Sequence, residues 1–595
     1  MLTYIFLYAP IAVVAVYSFN ARQYGMVWSG FTTRWYHQLL SSPDKLAAAE
    51  NTILLALVST AVSTLLGTLL GYGMSRYRFP GKKFFSWLMS VPVVIPDIVM
   101  AVAMLLFFAL LRTATGLFEL GLPTMIVAHV TFEIPFVAIV VRSRLAGMDP
   151  AIEEAARDLG AGGWQTFRHV TLPLMAPGVV AGALLAFTLS LDDFVVSFFT
   201  AGPGSTTLPI LIYASVKRGV TPDINALSTL IVLASVAGTV LMSLPSRTRV
   251  RAFQTVLVLG VSGFLLGRAT GAKNHLNVLM WSEYIDPAVV SDFEKRFDCH
   301  VTLDVFEDTE SMMAKLQEGG ASLYDVITPP TYIMPVLLHL KLLQEIRHER
   351  VPNVANIEPR FASPPFDPGN RYTVPYQWGT VGIYMRRAAG KPVEKTWGLF
   401  FDPARQPGPF LMMDGAREMI GAALKYRGHS LNSTDPRELL EARGLLLEAK
   451  KRCAGFEGGV GGKNRVLARG VVAAVAYNGD AVRGTREDPE TEFFVPKEGG
   501  EIWMDSLAVP ARAPHRDIAE VFINYILEPE AGARVSNFNQ YATPNHASLP
   551  YIRPEDRQNS AIYPSEATMS KLEFLQDLGP DMRLYDEIWA QVKSK

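Results

Sequence analysis

Four carboxylates, Asp97, Glu133, Asp192 and Asp193, stand within or at the ends of long apolar runs that contain no interior Lys or Arg. Ionisable groups at membrane depth are costly and usually face a cavity or a partner. Asp97 and Glu133 could equally cap broken helices or lie at an interface, a reading that suits the adjacent Asp192 and Asp193 less well. A second pattern occupies residues 149–175, where Glu154-Ala155-Ala156 is followed by Gly160 and then by Val170-Thr171-Leu172-Pro173. Ala151–Leu159 predicts a short helix, Gly160 permits a sharp reversal, and Trp164–Val170 predicts a second helix. Two short helices across a reversal make a finger that can dock on another protein and move as a lever. A third pattern is Trp503 with Asp505 two residues on, which a strand would place on one face.

Other chemistries find no support. The sequence has no Walker A motif, nucleophile elbow or metal-ligand cluster, and Gly458–Gly462 lacks a phosphate-loop context and reads as a flexible loop. Cys299 and Cys453 are the only cysteines, so two unpaired or buried thiols are expected, with a single disulfide as the alternative. A net charge of -1 without a long basic run argues against nucleic acid as a partner. No enzyme is expected.

The elements that carry these groups fall into two parts. A chain of 595 residues exceeds what one core usually holds. The first 250 residues contain 16 Lys/Arg and 12 Asp/Glu, about 11% charged, against about 24% in the rest, which is an ordinary soluble value. Apolar segments of spanning length, about 17–25 residues, recur at Leu2–Phe19, Ile53–Tyr72, Phe84–Leu110, Pro123–Val141, Gly178–Phe199 and Ala226–Leu244. A shorter seventh, 252–267, reads as a linking span or an internal signal-anchor. Lys and Arg cluster after the second, fourth and sixth spans, among them Arg76, Lys82, Arg142, Arg144, Arg247 and Arg251. The positive-inside rule therefore starts the N-terminus in the cytoplasm, and a seventh crossing carries residues 274–595 outside.

After Lys273 the pattern alternates strands with amphipathic helices. Leu276–Trp281, His300–Phe306 and Tyr324–Thr328 predict strands, and Pro287–Phe297 and Glu310–Gln317 predict helices, the βαβαβ start of an α/β lobe. The expected division is a membrane domain over 1–250 and an α/β domain over 274–595. The first lobe of that domain takes about 274–384 and 506–595, the second about 385–505. Such lobes suit hinge closure around a solute.

The finger sequence matches the signature EAA-x3-G-x9-I-x-LP of ABC-importer permeases, with Val170 for Ile. Residues 3–245 resemble the spermidine/putrescine permease family through Tyr17-Ser18-Phe19-Asn20, Pro96-Asp97-Ile98-Val99-Met100-Ala101 and Leu191-Asp192-Asp193. That family usually carries a short tail before its first span, which here begins at Leu2. The resemblance implies an all-α permease in a bacterial inner membrane, multi-pass, with the C-terminal domain on the periplasmic side. It also implies that Glu154, Ala155, Ala156, Gly160, Leu172 and Pro173 couple to a cytoplasmic ABC ATPase subunit. A second permease subunit is implied too, with ATP used by the partner and no cofactor bound by this chain.

Residues 274–595 resemble the periplasmic spermidine/putrescine-binding family, of type II two-lobe fold. The matching stretches include Trp281-Ser282-Glu283-Tyr284, Pro375-Tyr376-Gln377-Trp378, Ala416-Arg417-Glu418, Trp503-Met504-Asp505-Ser506 and Thr543-Pro544-Asn545. The resemblance carries ligand contacts onto Trp281, Ser282, Tyr284, Tyr332, Glu418, Trp503, Asp505 and Tyr541, with Tyr477 in place of a tryptophan. Carboxylates would take the ammonium groups of a polyamine and aromatic faces its methylenes. Two positions depart: Gly415, with Asp414 displaced by one, replaces an aspartate, and Pro330 replaces a serine. The alternatives are an importer of another cationic amine or small organic solute, or a membrane-tethered sensor. The intact finger argues against the sensor.

Overall fold

The structure is a computed structural model that describes residues 2–21, 28–149, 151–218, 222–243, 274–306, 309–317, 320–387 and 393–594. The expected seventh span, 252–267, lies outside them. Three described helices are long and apolar enough to cross a membrane: Asp44–Arg76, Leu122–Ala146 and Gly163–Asp192. These contain or overlap three of the expected spans. Leu2–Tyr17 and Pro222–Ser243 are helices at two more.

The expected span Phe84–Leu110 is not one helix. It is Lys82–Val94 followed by Asp97–Thr115, bent by 110° at the break. Proline explains the break: Pro96 has no N–H to donate and disfavours a helical Ile95 before it. The expected span Gly178–Phe199 also breaks, with one helix ending at Asp192 and another covering Val195–Thr200.

The helices of residues 39–213 pack through small residues. A Cβ on Gly67 would meet the Val137 Cβ at 2.7 Å, and one on Gly71 the Ala138 carbonyl oxygen at 2.7 Å. This pair, four apart on Pro43–Arg76, lets that helix lie against Leu122–Ala146. Close backbone approach of this kind replaces the hydrophobic driving force that lipid cannot supply.

Residues 274–594 form an α/β domain. Its strands are β1 Asn274–Trp281, β2 Cys299–Phe306, β3 Val326–Ile327, β4 Thr373–Arg386, β5 Phe410–Met413, β6 Phe456–Glu457, β7 Ala473–Tyr477, β8 Thr491–Phe494, β9 Gly500–Ala508 and β10 Leu572–Phe574. Their order is β2-β1-β3-β9-β4-β7-β5-β6, with β10 on β9 and β8 on β4. β4 is fourteen residues long. Its first half runs antiparallel to β9 and its second half to β7 and β8. Helix Pro287–Phe297 begins where expected because Asp286 accepts from the Ala288 N–H and Pro287 fills the first turn.

Two hydrophobic cores flank this sheet. One gathers Leu276, Val278, Val326, Val374 and Phe522, the other Val381, Phe400, Phe410, Leu446 and Val475. The C-terminal helix Met582–Ser594 corrects the expected division. After Asp505 the chain rejoins the first core through Leu507, Phe522, Val535 and Ile562, as expected, but Tyr585, Ile588 and Val592 of this last helix join the second. Gly458–Gly462 is likewise not a flexible loop, because Gly459–Leu467 is a helix. Cys299 and Cys453 are free.

Candidate functional site

Several site residues of the α/β domain stand where strands end. Trp281 closes β1, with Ser282 and Tyr284 just beyond it. Tyr332 follows β3. Glu418 lies in the first turn of helix Ala416–Tyr426 after β5, and Tyr477 closes β7. Carboxyl ends of strands in open α/β sheets are the usual place for a ligand. Trp503 and Asp505 share one face of β9, and Tyr541 follows helix Pro529–Asn539.

Of these, Tyr284, Asp505, Tyr541, Trp503, Tyr477 and Glu418 meet between the two cores. Trp503 and Tyr477 each pack against both. The Trp503 ring lies 4.9 Å from Tyr541 and 6.2 Å from Tyr477, both edge-on, and Tyr284 stands 6.1 Å from Tyr541. Gly379, opposite Trp503 on β4, makes room: a Cβ there would meet the indole at 2.5 Å. Trp281 stacks obliquely on Phe306 at 4.3 Å. Tyr332, 43% exposed, shares a 2.6 Å hydrogen bond with Thr309.

Carboxylates stand at both ends of this aromatic row. Asp505 is 6% exposed and accepts a 2.7 Å hydrogen bond from the Tyr284 hydroxyl. Burial pushes its carboxyl up to about 7, held back by the hydrogen bond from Tyr284. The Trp281 Nε1 closes no hydrogen bond, and neither does the buried Nε1 of Trp503. At the other end Glu418 accepts from the Tyr477 hydroxyl at 3.3 Å, and burial raises its carboxyl.

The two departures have structural counterparts. Asp414 points away and pairs with Lys593 at 2.9 Å, so it does not stand in for a carboxylate at 415. Glu418 folds over Gly415, where a Cβ would meet its Oε2 at 2.3 Å. Pro330 bridges Asp505 across the sheet. Sequence reasoning missed two acids. Asp480, in the first turn of helix Asn478–Glu487, accepts from the Tyr541 hydroxyl at 3.1 Å and pairs with Arg483. Glu501 lies two residues before Trp503, and the alternation that linked Trp503 with Asp505 would have found it.

In the helical region the structure brings together two of the four acids of the apolar runs. Glu133 is fully buried and accepts from Ser59 at 2.9 Å and Ser63 at 2.7 Å. His129, one turn earlier, reaches Ser190 at 2.8 Å and Asp193 at 3.4 Å. Asp193 also accepts from the Ser197 N–H at 2.7 Å, capping helix Val195–Thr200. Asp97 and Asp192 are exposed and outside this network.

The finger is a helix over Ala151–Asp158, then Gly160 at φ +88°, then helical turns over Gly163–Thr166 and a wider-wound turn over Phe167–Thr171 that runs into Leu172–Asp192. Glu153 is its anchor, accepting from Thr171 at 2.9 Å and pairing with Arg76 at 3.1 Å. Glu154, Ala155, Leu172 and Pro173 are exposed and Ala156 half-buried, beside a 90% exposed Leu159 and an exposed Trp164.

Comparison with known proteins agrees with these two parts. Residues 63–257 match the family model of the binding-protein-dependent transport system inner membrane component, and residues 288–563 that of the bacterial extracellular solute-binding protein. The first part is 42% identical over 248 residues to the spermidine/putrescine transport system permease protein PotC of Escherichia coli K12, covering 42% of this chain and 92% of that one. The second is 32% identical over 315 residues to the spermidine/putrescine-binding periplasmic protein of Salmonella typhimurium, covering 53% of this chain and 90% of the relative. A solved structure, the spermidine/putrescine ABC transporter substrate-binding protein PotD from Streptococcus pneumoniae, matches with a TM-score of 0.51 at 27% identity, over 54% of this chain and 99% of that one. The chain belongs to the inner membrane components of binding-protein-dependent transport systems. It carries, in the same polypeptide, a domain of the solute-binding kind, and so joins a permease to a binding protein.

Proposed function

We propose that this chain is the permease and solute-binding part of an ATP-driven polyamine importer, of spermidine/putrescine type. The observation that carries the reading is Asp505, a buried carboxylate with Tyr284 as its hydrogen-bond partner, at one end of an aromatic row that ends at Glu418. An ammonium taken from water into an aromatic slot needs a counter-charge, and each end supplies one. Trp281, Ser282, Tyr284, Tyr332, Glu418, Tyr477, Trp503, Asp505 and Tyr541 form the ligand site of a type II two-lobe domain that closes about its hinge. Domain boundaries at 1–250 and 274–595, six spans plus a seventh over 252–267, and a periplasmic α/β domain complete the reading.

The finger couples the permease to a cytoplasmic ABC ATPase subunit through its exposed face. The Arg76–Glu153 pair ties the finger to the helix Pro43–Arg76, so motion imposed on one moves the other. A second permease subunit faces this one, and ATP is used by the ATPase alone. Within the membrane, Glu133 and Asp193, joined by His129, are the acids best placed to meet the passing cation, while Asp97 and Asp192 belong to its ends.

The test is calorimetric titration of the full chain in detergent with putrescine, spermidine and an uncharged diol of matching length. The amines bind and the diol does not. A diol bound as tightly as the amine would overturn cation selection.

A further inference from the structure

Glu501 leaves β9 on the face that carries Trp503 and Asp505. It is 8% exposed, and its Oε2 is buried without a hydrogen-bond partner. A buried polar atom left unpaired costs free energy, more so on a carboxylate. The helix Ala416–Tyr426 that carries Glu418 packs against β9, and burial together with the Glu418 charge raises the Glu501 carboxyl well above the usual range.

Among the described residues no ion pair closes on Glu501, and the Arg417 charge offsets the burial of its carboxyl only in part. Arg417 is the cation whose charge reaches it, but Nη1 donates to the Gln576 carbonyl at 3.0 Å and Nη2 to the Asn432 Oδ1 at 2.8 Å, while its buried Nε has no partner. Glu573, its register partner on β10, is held by Lys425 and Ser430. Acids from two packed elements, β9 and the helix Ala416–Tyr426, thus belong to one end of the aromatic row, with an unpaired carboxylate oxygen on Glu501 and an unpaired indole Nε1 on Trp503.

We propose that Glu501 is a further ligand carboxylate, which together with Glu418 receives one terminal ammonium of a linear amine whose other terminus sits at Asp505. The inference rests on the polyamine reading above and adds a length preference to it. Four residues of strand separate Glu501 from Asp505, about 13 Å at ~3.3 Å per residue. The extended backbone of a triamine comes close to this span, and that of a diamine reaches about half way. A cation between Glu418 and Glu501 also relieves their mutual repulsion, which an uncharged solute cannot do.

The experiment titrates spermidine and putrescine into the full chain in detergent at pH 8, comparing wild type with Glu501→Gln and Glu501→Asp, and melts each protein without ligand. Glu501→Gln should weaken spermidine at least tenfold, ~1.4 kcal/mol, and putrescine less than threefold, without lowering the unliganded Tm. Glu501→Asp, which keeps the charge on a shorter arm, should lie between. Unchanged spermidine binding by Glu501→Gln overturns the proposal. So does an equal loss for both amines, with or without a lowered Tm in both variants, since a purely structural role would produce it. Wild type that binds neither amine ends the polyamine reading instead, which separates the two failures.

Discussion

Replacing Asp505 by Asn should move binding and stability in opposite directions. The side chain keeps its shape and an oxygen to accept from Tyr284, and only the charge is lost. In the unliganded protein, burial raises this carboxyl from its ordinary 3.8 to about 7. A raised acid favours folding in its protonated form. Its contribution is therefore fully present below the unfolded value and is lost as pH rises through 7. A shift of about three units corresponds to ~4 kcal/mol, so the unliganded variant should be more stable than wild type at pH 8, by up to that amount. Binding runs the other way. Losing one partner of a buried charge pair costs about 2–5 kcal/mol, so affinity for a diamine or triamine should fall by more than tenfold. The wild-type affinity should itself fall as pH drops below 7, by about tenfold per unit from this group, and Asp505→Asn should flatten that component. Titration calorimetry at several pH values, paired with thermal melts, reads all three quantities. Asp505→Asn that binds as tightly as wild type at pH 8 would refute the counter-charge argument. A variant less stable at pH 8 without ligand would refute the burial argument.

Three further outcomes follow from the membrane part. Gly160→Val should abolish uptake while leaving solute binding intact: φ +88° strains a β-branched residue, and unchanged uptake would remove the finger from the mechanism. Asp193→Asn should lower uptake while Asp192→Asn does little, because Asn caps a helix as well as Asp does and only Asp193 reaches His129; equal effects in an uptake assay would dissolve the distinction. A reporter fused after Leu276 should signal the periplasmic side and one at Arg247 the cytoplasm, and a cytoplasmic signal from the first would sink the odd span count.

Periodicity made some of this architecture readable in advance. Alternation placed Trp503 with Asp505, and the apolar face of Pro287–Phe297, closed by its Asp286 cap, was found to the residue. The finger was legible because its reversal needs Gly160 at a fixed distance from both helices. What escaped depends on contacts between distant segments. His129, Ser59 and Ser190 meet only once three helices pack, and no spacing announces them. The return of Met582–Ser594 to the second core is equally invisible, since an amphipathic helix suits either core. The bend at Pro96 was foreseeable from proline chemistry, but continuous apolarity masked it. Glu501 was within reach of the same alternation that links Trp503 with Asp505, and only its burial is a matter of tertiary packing.

The central claim is that one polypeptide captures the cation and also passes it across the membrane. Its most direct test is uptake of labelled spermidine by cells lacking their own polyamine importers, expressing this chain with its ATPase and second permease partners. The account predicts energy-dependent uptake that Asp505→Asn sharply reduces at low spermidine concentration and that Gly160→Val abolishes although the ligand still binds. Tight binding with no uptake by the wild-type assembly would contradict it and leave a tethered sensor in its place.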